Sequence, residues 1–111
     1  MTRRDSERLD DITEALAAIK GHLSSGALAD ALVFDAVRVR LIEIGEAVKA
    51  IDPGVLAHEP DISWDGVAGM RDRLAHRHFD PSHAIVQATI DQDLPVLAAA
   101  VERLRRVSDG D

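Results

Sequence analysis

The chain contains no cysteine and no tyrosine, and only three aromatic residues, Phe34, Trp64 and Phe79. Without cysteine it forms no disulfide and has no thiolate nucleophile or ligand, a usage that suits the cytoplasm. So few rings leave few stacking platforms for nucleobases. Positive charge is also scarce: 13 Lys and Arg stand against 20 Asp and Glu, a net charge of −7. Broad, sequence-blind nucleic-acid binding works by neutralising many phosphates, so this balance argues against it. No apolar run approaches a membrane span, and the opening MTRRDSERLDD has no apolar core of a signal peptide. No internal repeat, P-loop, dinucleotide fingerprint or Ser-His-Asp spacing occurs.

What remains is a chain of 111 residues, 46 % hydrophobic and 30 % charged. That is the composition of a globular protein and the length of a single domain, expected over residues 1–111. A chain this short buries a modest core, to which a second subunit would add. The apolar period is helical almost throughout. Leu9, Ile12, Leu16, Ile19 and Leu23 step by three and four, with Asp5 or Ser6 as the expected cap, until Ser24-Ser25-Gly26 breaks the pattern. Phe34, Val37, Leu41, Ile44, Val48 and Ile51 mark a second helix from Leu28 to Ile51, which Asp52-Pro53-Gly54 stops. Ser63 then caps WDGVAGMRDRLAHRHF, with Asp65 in the first turn and Val67, Met70 and Leu74 facing inward. Asp80 and Pro81 open the last element, in which Val86, Ile90, Leu94, Leu97, Val101 and Leu104 keep helical spacing. Pro95 is expected to kink or split it, with Asp93 as a fresh cap. No segment alternates convincingly with period two, so the expected fold is all-α: an antiparallel, up-and-down bundle of four to five helices.

Against the acidic background, GMRDRLAHRHFDP gathers Arg71, Arg73, Arg77, His76 and His78 within a few residues. On a helix, residues four apart share a face, so Asp72 falls beside His76, where a carboxylate orients an imidazole and favours its protonated form. Arg71 and His76 are five apart, roughly 140° around a continuous helix. They converge only if the helix loosens or a second subunit related by a two-fold axis completes the site. Arg73 and Arg77, like charges four apart, slightly disfavour an isolated helix and point to an external anion or partner. The plainer alternative is an exposed helix face of alternating charges, and spacing alone leaves both open. His76, His78 and His83 could also be taken for metal ligands. Residues two apart diverge on a helix and three arginines repel a cation, so no metal is expected. Glu46 follows Gly45 in mid-helix, where glycine costs about 1 kcal/mol relative to alanine, so close approach of another backbone is expected there. Glu46 itself is a candidate auxiliary group, although helix-surface glutamates are commoner.

Three segments in order, LIEIGEAVKAI, HEPDISWDGVAGMRDRLAHRHFD and AIVQATIDQDLPVLAAAVERL, resemble the HepT-like family of HEPN-domain proteins over nearly the whole chain. The family motif, Arg followed by four to six residues and His, is met by Arg71 and His76. The resemblance implies a helical bundle that pairs as a homodimer and cleaves RNA without metal or cofactor. It implies catalysis by Arg71 and His76 of both protomers at their interface, with Asp72 in the polar position after the arginine. Arg73, Arg77 and His78 would then contact RNA phosphates. It also implies a toxin whose partner is an MNT-type nucleotidyltransferase antitoxin, which in the family adenylylates a tyrosine near the motif. Here the corresponding position is His78. With no tyrosine in the chain, that modification is excluded and the modified residue, if there is one, is unknown. The alternative is a non-catalytic helical partner, or nucleotide-binding module, of a small nucleotidyltransferase.

Overall fold

Three helices of this chain begin where a side-chain oxygen takes up a free N–H group of the first turn. The structure, a computed structural model, describes residues 1–75 and 83–110. It contains α1 (Arg3–Ser25), α2 (Ala31–Ala50), α3 (Pro53–Leu56), α4 (Trp64–Ala75), α5 (His83–Ala88) and α6 (Leu94–Gly110), with a π-helical turn at Thr89–Asp93 between α5 and α6. No strand occurs among the described residues, so the protein is an all-α bundle. Helix α2 packs between α1 and α4, and α6 lies along α1.

The core follows the apolar periods. Leu9, Ile12 and Ile19 of α1, Val37, Leu41, Ile44, Val48 and Ile51 in and after α2, Leu74 of α4, Val86 of α5, and Leu94, Leu97, Val101 and Leu104 of α6 are buried in one contiguous cluster. Leu16, Leu23, Phe34 and Ile90 pack against it half-buried. An aliphatic side chain taken fully out of water contributes about 1.5–3 kcal/mol, so these residues hold the helices together.

Helix α1 starts earlier than expected. Its cap is Thr2, not Asp5 or Ser6: the Thr2 hydroxyl accepts the Asp5 N–H at 3.1 Å. The Asp5 carboxylate in turn accepts the Thr2 N–H at 3.1 Å and the Thr2 hydroxyl at 2.9 Å. Asp5 thus stands at the third helical position of a capping box. Its other oxygen accepts the main-chain N–H of Asp52 at 3.1 Å, joining the start of α1 to the end of α2. These two helices therefore run antiparallel.

Helix α2 is capped by Asp30, whose carboxylate accepts the Leu32 N–H at 2.8 Å, so it begins at Ala31 rather than Leu28. The stop at Asp52-Pro53-Gly54 is also a start. Asp52 accepts the Gly54 N–H at 2.7 Å and Pro53 supplies the first residue of α3, where a missing N–H costs nothing. Pro95 does not split the last element, and Asp93 is not a cap. The chain passes through the π-helical turn, where the Leu94 N–H reaches back to the Thr89 carbonyl, and enters α6 with Leu94 still helical. The wider turn relieves the missing N–H and the ring clash that proline brings to an α-helix. The expected cap Asp80 and first-turn Pro81 lie outside the described residues.

Candidate active site

Helix α4 carries Arg71 and Arg73 of the cationic cluster, and its start is fixed by the connector before it. Trp64 is half-buried, and its indole N–H donates to the Leu56 carbonyl at 2.9 Å and the Glu59 carbonyl at 3.0 Å. The connector is tied to α6 by Arg103, whose Nε donates to the Glu59 carboxylate at 2.9 Å. That hydrogen bond holds the Glu59 carboxyl below its ordinary pKa. Ser63 precedes the helix as expected. Its carbonyl accepts the Val67 N–H at 3.0 Å. Its hydroxyl lies so near Gly66 that an added Cβ would come within 2.9 Å of it. Val67 and Met70 are half-buried and Leu74 is buried, so the inward stripe forms as read.

Two cations of α2 hold the far end of α4. The Lys49 ammonium donates to both oxygens of Asp72 at 2.9 Å each. The Arg38 guanidinium donates to the Leu74 carbonyl through Nε at 2.9 Å and also through Nη2. With Val48, Lys49 and Ile51 lining one hollow with Trp64, Asp65 and Ala68, and Arg38 reaching Leu74, α2 and α4 run antiparallel.

The structure places the expected site residues unevenly. Asp72 is half-buried against Lys49. Arg73 is exposed, beside a hollow of about 400 Å³ floored by Ile62, Val67, Met70 and Leu97. Glu46 is exposed, three residues before Lys49, and lines a groove between α1 and α2 together with Arg8, Glu14 and Arg40. Gly45 is buried in α2. Arg71 belongs to α4, but its side chain lies outside what the structure describes, as do His76, Arg77 and His78. Among the described residues, no three His, Cys, Asp or Glu side chains gather closely enough to hold a metal ion. The candidate ligands His76 and His78 and the His83 side chain lie outside that set. No described helix is long and apolar enough to cross a membrane.

Arg38 and Lys49 join α2 to α4, and sequence reasoning missed both. A signal existed for Arg38. It lies four residues after Phe34 and three before Leu41, on the flank of an apolar stripe, where a cation needs a polar partner. What the sequence does not contain is the register between α2 and α4 that names the partner.

Among the described residues, the bracing by Arg38 and Lys49 falls on the turn of α4 that contains Asp72 and Leu74. A family model described as "Ribonuclease HepT-like" matches residues 8–104. The chain is 32 % identical over 110 residues to "Probable ribonuclease HepT" of Thermococcus cleftensis, an alignment covering 96 % of this chain and 100 % of that one. It is 36 % identical over 67 residues to "Putative RNase TTE0752" of Caldanaerobacter subterraneus subsp. tengcongensis, covering 60 % of each chain. No solved structure matches.

Proposed function

The chain belongs to the HepT-like ribonuclease family, and from that premise we propose that it is a metal-independent endoribonuclease. It acts as a homodimer in which Arg71 and His76 of both copies surround one scissile phosphodiester. RNA carries its own nucleophile, the 2′-hydroxyl. One His76 imidazole takes that proton as the 2′-oxygen bonds to phosphorus. The imidazolium of the other copy protonates the departing 5′-oxygen as the P–O bond breaks. The products are a 2′,3′-cyclic phosphate and a 5′-hydroxyl. Arg71 donates paired N–H groups to the phosphoryl oxygens, where negative charge builds in the transition state. Arg73, Arg77 and His78 add phosphate contacts, and Asp72 and Glu46 are secondary polar groups.

The observation that carries this reading is that the family match runs through α4 and across the whole Arg71 to His76 motif. The scarcity of rings fits weak sequence selectivity, or a substrate recognised by shape, such as a transfer RNA. In the cytoplasm the protein is the toxin of a HepT/MNT-type pair. Its nucleotidyltransferase partner restrains it by binding, or by modifying a residue other than tyrosine.

The absence of tyrosine and the net charge of −7 favour a second reading, a non-catalytic partner of such a nucleotidyltransferase. Purified protein incubated with RNA in EDTA separates the two. The nuclease reading expects cleavage, lost by about 10²-fold or more in Arg71→Ala and His76→Ala, together with relief of growth arrest. Intact RNA and stable co-purification with the nucleotidyltransferase would establish the partner role instead.

A further inference from the structure

Arg38 lies beside the apolar stripe of α2, half-buried. Both its Nε and its Nη2 donate to one main-chain oxygen, that of Leu74, 36 residues away. The Leu74 side chain is itself 4 % exposed, so this residue is held at both its side chain and its carbonyl. No carboxylate pairs with Arg38 among the described residues. Its Nε and Nη2 donate to the backbone of α4, whereas Arg40 on the same helix pairs with Glu43 at 3.1 Å and donates through Nε to His22 of α1 at 3.4 Å.

Leu74 falls three residues after Arg71 and two before His76. Any rotation or slide of the turn containing Leu74 moves the attachment points of both groups. Main-chain carbonyls do not shift independently of the turn they belong to, so gripping Leu74 sets where both groups start. We propose that Arg38 is a positioning residue for RNA cleavage, fixing the end of α4 against α2 so that Arg71 and His76 meet the phosphodiester correctly. The proposal rests on the nuclease reading above.

The test uses full-length protein with Arg38→Met, which keeps an apolar stem and removes every donor, Arg38→Lys, which keeps one charged donor, and Arg40→Met as a same-helix control. Misplacing reacting groups by about 1 Å costs on the order of 10²-fold. Arg38→Met is therefore expected to lose about 10- to 100-fold in kcat with KM changed less than about twofold, the pattern of an interaction that matters in the transition state. Amide hydrogen exchange at residues 72–75 should accelerate in the same variant. Arg38→Lys should recover much of the kcat, and Arg40→Met should match the parent in both readouts. Arg38→Lys also covers the case in which Arg38→Met does not fold, since folded Arg38→Lys with parental kcat and faster exchange overturns the proposal. Faster exchange in folded Arg38→Met with parental kcat makes Arg38 a structural tie only and likewise overturns it. A parent protein that leaves RNA intact refutes the nuclease reading itself, and the positioning role falls with it.

Discussion

Lys49 and Asp72 meet across the α2–α4 interface with both carboxylate oxygens 2.9 Å from the ammonium. Both side chains are close to half exposed, so the pair adds no more than about 1 kcal/mol to stability. Its consequence is for chemistry. A carboxylate already drawn to an ammonium pulls less on an imidazole, so Asp72 is expected to contribute little to orienting His76. Asp72→Asn is therefore expected to lower kcat by less than about tenfold, while His76→Ala costs about 10²- to 10⁴-fold. Lys49→Met removes that ammonium. If Asp72 faces the imidazole, it then favours the imidazolium and moves the acidic limb of the pH–rate profile upward. A limb that stays in place in Lys49→Met would show that Asp72 does not face His76.

A composite site makes an unusual demand on mixed dimers. If one cleft uses the imidazoles of both copies, a dimer of one parental protomer and one His76→Ala protomer keeps a single imidazole, and one of the two proton transfers loses its group. Such mixed dimers, co-expressed with different affinity tags and purified through both tags, are expected to cleave RNA at least about tenfold more slowly than the parental dimer. A doubly tagged species that keeps half the parental rate would mean that the two copies do not share a site.

The sequence was legible where a single helix decides the outcome. The stripes of α1, α2 and α4 formed as spaced, since residues three and four apart face the same way whatever surrounds them. Boundaries were less legible. Asp5 and Thr2 are both good capping residues three positions apart, and the choice between them was settled by Asp52, 47 residues away, whose N–H needs the Asp5 carboxylate. Pro95 could be recognised as a disturbance but not as one absorbed by a wider helical turn, because backbone hydrogen bonding from Thr89 to Leu94 leaves no compositional trace. The motif of Arg71 and His76 is a matter of residue types and spacing, while the α2–α4 contacts of Arg38 and Lys49 depend on how two helices are set against each other. No local pattern records that register.

The Asp5–Asp52 tie also makes a prediction about stability. Asp5 is 5 % exposed, and its carboxyl is held below its ordinary pKa, first by the Asp52 N–H and then by Thr2, against the opposing effect of burial. A depressed carboxyl stabilises the fold at pH values above its unfolded pKa, about 3.9. That stabilisation is lost as pH falls from there through the lower folded value. Replacing Asp5 with alanine removes the N3 half of the capping box and leaves the Asp52 N–H without its acceptor, at a cost of about 1–3 kcal/mol. For a domain of this size each kcal/mol lowers Tm by about 4–8 °C. Trp64 is the sole tryptophan, and its fluorescence offers a direct readout of unfolding. Asp5→Ala should unfold at lower temperature at pH 7, and the difference from the parent should shrink as pH drops below about 4. A gap that stays constant down to pH 2 would mean that the carboxylate charge is not what joins α1 to the end of α2.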